Sequence, residues 1–342
     1  MARKEVDRLP RARMSSVALA LASAAAFATS GVFARGLLES GWSPGAAVLA
    51  RIGGAAVVLL VPTVVALRST PRPTARQLRR LVGYGAVAVA GAQACYFGAV
   101  AYLTPGVALL LEYVGVVLLV GWMWARHGQQ PSLRTTAGVG VCAVGLLLVL
   151  DVTGSAQSTL DPRGVGLALA AAVCLAVYFA MSARTEEALP AVVMVGGGLI
   201  VATVTLAGLT SLGALPFRVT SGPIRLAGSS VPWWLPALGL VLISTAAAFL
   251  TGVLATRRLG ATSASFLGLI EVAFTVLWAA LLLGELPRPV QLLGGAVLIG
   301  GVAVIQATAP MAGRPRTRPG ASEATGGRSP RAIARTGAAR SR

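Results

Sequence analysis

The sequence predicts an all-α membrane protein of ten transmembrane helices, arranged as two five-helix inverted repeats with both termini on the cytoplasmic side (N-in/C-in). Three observations lead there. Hydrophobic residues make up 56% of the 342 and charged residues only 12%, too few charges to cover a water-soluble surface of this size. The apolar residues gather into runs of about 20, the length that crosses a hydrocarbon core as a helix. The basic residues collect in short connections on alternate sides of those runs.

Residues 1–14 are a basic N-terminal stretch. The apolar run behind it resembles the start of a signal peptide, but Ser15 to Phe33 is long enough to span, so 15–35 reads as a retained first helix. The further spans are 44–68, 79–101, 105–125, 135–152, 164–183, 190–213, 233–256, 261–283 and 289–308. The thinnest separators are Leu103-Thr104-Pro105 and Arg257-Arg258-Leu259-Gly260. The connection 214–232, rich in Pro, Gly and Ser, reads as a plain surface loop. Residues 312–342 carry almost no large apolar groups and are expected to form a disordered, basic cytoplasmic tail.

With the N-terminus inside, the inner connections hold Arg68, Arg72, Arg76, Arg79, Arg80, Arg126, Arg134, Arg184, Arg257 and Arg258. The outer ones hold Arg35, Arg163, Arg218, Arg225 and Arg288. An even number of spans places both basic termini inside as well, in line with the positive-inside bias. The net charge of +18 invites a nucleic-acid reading, but five basic residues precede Met14 and eight follow Met311. Basic ends and loops flanking apolar spans suit anionic lipid headgroups, so the expected partner is the bilayer and not nucleic acid.

Several chemistries are excluded. Cys95, Cys142 and Cys174 lie in apolar runs without metal-ligand spacing, and His127 is the only histidine, so no metal site or cofactor is expected. No G-x-x-x-x-G-K-[ST] run is present, which removes ATP-driven transport by this chain alone. Without a Ser/His/Asp set or an H-E-x-x-H motif, an enzyme has little to work with.

The halves align. Sliding the fourth span onto the ninth brings Leu110, Glu112, Val117 and Leu118 onto Leu269, Glu271, Val276 and Leu277. With a gap in the next loop, Gly138 and Gly145 meet Gly294 and Gly301. Five spans per repeat is odd, so the halves insert in opposite orientations, and alternating access follows from that symmetry.

Glu112 and Glu271 each sit on the order of 10–15 Å into their spans. An acidic group at mid-helix costs roughly 2.5–3.5 kcal/mol to insert, so each faces a cavity, a partner or a proton. They are candidates for proton or cation coupling or for substrate contact; the alternative is that they lock helices by pairing with Arg51 or a backbone group. Arg51, within the second span, is a candidate for an anionic group of the substrate, or else a structural ion pair or snorkelling side chain. Gln93, Tyr96, Tyr113, Tyr178 and Trp278 are candidate cavity-lining residues, while Trp122 and Trp124 beside Arg126 suit an interfacial belt. Gly53, Gly54, Gly138, Gly294 and Gly295 suit close helix packing. Glu285, ahead of Pro287, is placed to orient a turn at the outer interface.

An arginine early in the second span, the run LGLIEVAFTVLWAALLLGELPRP followed by QLLGGAVLIGGVAVI, and its looser first-half counterpart LLLEYVGVVLLVGWMWARHGQQPS resemble the EamA family of the drug/metabolite transporter superfamily. The resemblance covers residues 15–308, with five-helix repeats at 15–152 and 164–308. It implies a bacterial inner-membrane carrier, often an exporter of amino acids or related metabolites, as in threonine/homoserine exporters. The family's proline after the position of Glu112 is replaced here by Gly115 and Val116, and its second-half equivalent by Phe274 and Thr275, so helix breaks are expected to be absent or milder. The sequence is therefore expected to encode a secondary transporter exporting a small polar metabolite. Its rivals are a facilitator whose glutamates only stabilise packing, and a membrane scaffold or sensor with a partner-binding tail. Monomer and homodimer are both open.

Overall fold

The computed structural model describes residues 8–100, 102–103, 105–127, 132–149, 161–183, 189–226, 229–284 and 288–308. Glu285, the first seven residues and the tail 312–342 lie outside them. Helices α1 (Arg8–Glu39), α2 (Pro44–Arg68), α4 (Pro105–His127), α5 (Leu133–Val149), α6 (Pro162–Ser182), α7 (Ala191–Ser211) and α10 (Pro289–Thr308) are uninterrupted. In α3 (Ala75–Val100) a π-helical stretch, Tyr84–Gly91, separates two α-helical parts. In α8 (Trp234–Leu259) the π-helical stretch is Leu242–Ala247. α9 runs as Ala261–Gly268 and Ile270–Leu283, hinged at Leu269.

Seven of these helices, α1–α3 and α6–α9, are long and apolar enough to cross a membrane, and shorter apolar helices occupy Leu133–Leu148 and Leu292–Ile305. Their outward faces carry large apolar side chains, with Val57 71%, Val61 70% and Val204 68% exposed. Water would penalise such faces and lipid tails do not.

Local chemistry sets the helix starts. Ser43 caps α2 ahead of Pro44, its Oγ accepting from Ala46 N at 3.3 Å. Thr74 and Gln77 form a reciprocal capping box on α3, and Asp161 caps α6 through Arg163 N at 2.8 Å. Gly260, at φ +82°, turns the chain from α8 into α9 in one residue, a conformation a side chain would resist. α1 begins at Arg8, so part of the expected basic leader is helical.

The connection 214–232 is not a plain surface loop. It holds a two-stranded antiparallel hairpin, β1 (Ile224–Leu226) with β2 (Ser229–Val231), whose strands are the only ones among the described residues. Its first half is stitched to the α1–α2 turn: Trp42 Nε1 donates to Thr220 O at 2.7 Å, Arg218 N to Ser43 Oγ at 2.8 Å, and Thr220 Oγ1 to Ser40 O at 2.6 Å.

The main helix contacts run between the two halves of the chain: α5 on α10, α4 on α6, α2 on α7 and α8, α1 on α8 and α9, α3 on α6 and α7. Exchanging each helix with the one five places along maps this pattern onto itself. The offset that superposes Glu112 on Glu271 also carries α3 onto α8 end to end, both 26 residues long and both with a π-helical interior. A shared irregularity at corresponding places is a structural signature of a repeat.

The Gly-x6-Gly pattern of α5 and α10 makes their close contact. A Cβ at Gly145 would lie 2.5 Å from Leu298 N, and one at Gly301 2.8 Å from Cys142 Sγ, whereas Gly138 would collide with Ile305. Gly295, by contrast, meets nothing within 4 Å among the described residues, so no close approach seen here depends on it. Gly145→Val is expected to part α5 from α10 and lower the thermal midpoint by several degrees, an overpacking cost of at least about 1–3 kcal/mol. Gly140→Ala, with open space around it, is the control expected to melt like the parent. Equal midpoints for the two variants would mean that the α5–α10 contact does not bear on stability.

Candidate functional site

A cavity of about 510 Å³ lies between the halves, lined by residues of α1, α2, α3, α4, α6, α8 and α9. Among the described residues α5, α7 and α10 contribute nothing to it, because they form the outer contacts. Arg51, Gln93, Tyr96, Glu112, Tyr113, Tyr178 and Glu271 all line it. Trp278 does not: its Nε1 donates to Ala25 O at 2.9 Å and ties α9 to α1.

Arg51 is buried, and α8 holds it. Its Nε donates to Thr245 Oγ1 at 3.1 Å and its Nη2 to Ser244 O at 3.3 Å. Both acceptors belong to the π-helical stretch of α8, whose register also lets Thr245 Oγ1 donate five residues back, to Leu240 O at 2.7 Å. Ser244 Oγ in turn shares a 2.7 Å hydrogen bond with Thr29 Oγ1 of α1. This polar network escapes a hydropathy reading. Its one signal is the Ser-Thr pair in the middle of an apolar span.

Glu112 on α4 and Glu271 on α9 are half-buried, facing the cavity. Both lie within electrostatic reach of Arg51. Among the described residues, however, no carboxylate is paired with Arg51 within 4 Å; the ion pair of this region is Arg35–Glu39 at 2.8 Å, on the last turn of α1. The Tyr113 hydroxyl faces the Glu271 carboxylate, and Tyr96 lies within reach of both glutamates. The break at Leu269 sits two residues before Glu271. It is mild, with φ −58° and ψ −25°, and α4 shows no counterpart.

The remaining wall is apolar and aromatic: Phe27, Phe97, Phe179 and Phe249 border the space, with Phe27 and Phe249 edge to face at 5.0 Å. Two polar atoms on this wall, Gln93 Oε1 and Tyr178 Oη, are buried without a hydrogen-bond partner among the described residues. The cavity therefore offers Arg51, the carboxylates of Glu112 and Glu271, the Arg35–Glu39 ion pair and unsatisfied hydrogen-bonding groups within an apolar shell, the composition of a site for a small organic molecule.

A model of the EamA-like transporter family matches residues 14–151 and again 162–307. The chain belongs to the EamA-like transporter family. This EamA-like chain is therefore a multi-pass membrane protein of the drug/metabolite transporter type, built from two repeats, in a family of transporters rather than enzymes. No curated protein matches it. A solved structure described only as a crystal structure of a protein shares its fold, with a TM-score of 0.67 and 20% identity over 86% of this chain and 98% of that one. The boundary between the two family matches falls between α5 and α6, so the contact pattern that repeats every five helices is the contact of one EamA repeat with the other.

Proposed function

We propose that this EamA-like transporter exports a small polar metabolite, such as an amino acid, across a bacterial plasma membrane by alternating access. The cavity between the repeats carries the reading, because its volume, its aromatic wall and its few convergent polar groups suit a small zwitterion or related molecule. In this reading each of the ten helices spans the membrane, the repeats insert in opposite senses, and both termini are cytoplasmic.

Arg51 holds an anionic group of the substrate with the N–H groups not committed to α8, and Tyr178 and Gln93 complete its hydrogen bonds. Glu112 and Glu271 supply coupling. With one guanidinium among two carboxylates, three ionised groups would leave a net negative charge in a low-dielectric space, and one proton removes it. A proton taken up as substrate leaves is a means of driving export. The cavity borders the Arg35–Glu39 end of α1 and the end of α3 at Val100. With the N-terminus inside, those two ends lie on the outer side of the membrane in this reading.

The test is extracellular accumulation of a metabolite panel, amino acids included, from loaded cells with and without the protein. Export of one compound class by cells carrying the protein, and not by cells without it, names the substrate; no difference for any compound sinks the reading. Removing residues 312–342 is expected to leave that export unchanged at matched abundance. Loss of function on removal would point to a tail-dependent sensor instead.

A further inference from the structure

Of the three cysteines, two meet across the seam between α3 and α6. Gly91, Cys95 and Gly98 fall on one face of α3, at i, i+4 and i+7. That face packs on α6: a Cβ at Gly91 would lie 3.1 Å from Cys174 Sγ, and one at Gly98 3.3 Å from Leu167 Cδ1. The later residue of α3 meets the earlier residue of α6, so the two helices run antiparallel. Helical side chains lean toward the N-terminus of their own helix. In an antiparallel pair that lean carries Cys95 back toward the level of Gly91, and Cys174 toward the level of Cys95. The two thiols are hydrogen-bonded to one another, and both cysteines are free. Cys142 stands apart on α5, its Sγ donating to Leu298 O at 3.9 Å.

Two thiols in contact can be joined by loss of two hydrogens, a chemistry that alanine or serine in the same seam would lack. Their exposure differs: Cys95 is half-buried, whereas Cys174 is buried, so an oxidant reaches Cys95 first. Hydrogen peroxide is small and uncharged and enters a bilayer. The Cys95 sulfur attacks its O–O bond, one oxygen stays on sulfur as the sulfenic acid, and the other leaves as water. Cys174 Sγ then attacks that sulfur, the S–S bond forms, and a second water leaves. Two thiols and one peroxide thus give one disulfide and two waters, and a thiol reductant reverses the bond.

We propose that Cys95 and Cys174 are a site of reversible oxidation, forming a disulfide that staples the first repeat to the second. α3 lies in the first family match and α6 in the second. The bond would sit just behind the cavity wall, next in sequence to Tyr96 and Leu175, which line it. Its consequence rests on the transport reading: alternating access moves the repeats against each other, so the oxidised protein is held in one state. The oxidation site itself does not depend on that reading.

The experiment uses the full chain carrying Cys142→Ala in lipid nanodiscs, which leaves this pair as its only thiols, treated with hydrogen peroxide. Maleimide-reactive thiols in the denatured protein should fall from two to none, and a protease digest should contain one peptide joined to another through positions 95 and 174. Dithiothreitol should restore both thiols. The thermal midpoint of the oxidised protein should rise by several degrees, because the bond closes a long loop of the unfolded chain. Adding Cys95→Ser should abolish both the joined peptide and the rise. Thiols that stay reactive, or that pass to sulfinic acid without joining, overturn the site. In proteoliposomes loaded with the exported compound, transport by the oxidised pair should stop and return with dithiothreitol, while Cys95→Ser and Cys174→Ser keep working in peroxide. Full transport by the cross-linked protein overturns the staple. No transport by the reduced protein either sinks the export reading alone, and the joined peptide and the midpoint still decide the site.

Discussion

Proteins carrying Glu112→Gln or Glu271→Gln are expected to reach the membrane at wild-type abundance and to lose the ability to concentrate substrate. Glutamine keeps the volume and hydrogen-bonding reach of glutamate but neither its charge nor its proton, so the cavity wall stays intact. One proton moving through one pH unit is worth about 1.4 kcal/mol, which sustains a concentration ratio of about tenfold. Proteoliposomes with an imposed gradient of one unit and a labelled substrate should reach that ratio with the wild type. The variants should equilibrate near unity while still exchanging label. Tenfold accumulation in both variants would return the carboxylates to a packing role. Exchange without accumulation in the wild type as well would identify a facilitator.

Arg51 is the second position of large expected effect, because its substitution tests two roles that meet on one side chain. The guanidinium bridges Thr245 Oγ1 and Ser244 O while bordering the cavity. Lys is a point charge on a flexible stem and cannot reproduce that fork. Arg51→Lys is expected to lose about 1–3 kcal/mol of stability, the range for leaving a buried acceptor unmet. It should also raise the KM for a substrate bearing a carboxylate by about tenfold or more. Thr245→Val removes one of the two acceptors and leaves the charge in place, so it should lower stability by about 1 kcal/mol with KM little changed. Thermal midpoints and transport kinetics on the same preparations separate the roles. If Arg51→Lys moves the midpoint but not the KM, Arg51 is a strut between α2 and α8 and nothing more.

Much of the architecture was readable from residue order. The apolar run at 44–68 is the helix Pro44–Arg68, and the run at 289–308 is Pro289–Thr308. Lipid solvates a span residue by residue, so run length and helix length report the same quantity. Three of the glycines paired across the halves, Gly138, Gly145 and Gly301, proved to be where α5 and α10 touch, since only a missing side chain allows such an approach. Elsewhere the reading stopped short. Polar composition marked 214–232 as loop, but its hairpin and its hydrogen bonds to the α1–α2 turn depend on partners far along the chain. Trp278 was an equally good candidate as Tyr178 from sequence. The rotation of α9 sends its indole to Ala25 O instead of into the cavity.

Residue order is enough to show that this is a membrane protein, where its apolar helices lie, that its two halves correspond, and that two carboxylates and an arginine lie within its spans. Those properties are local, since each follows from the transfer cost of a residue or from the spacing of residues along one helix. The tertiary structure alone decided which of these groups share a space. Arg51 meets α8 across 194 positions of chain because a π-helical stretch turns Ser244 and Thr245 toward it. Helix rotation and close approach are set by side-chain packing between distant segments, and hydropathy, which counts polarity but not direction, carries no record of them.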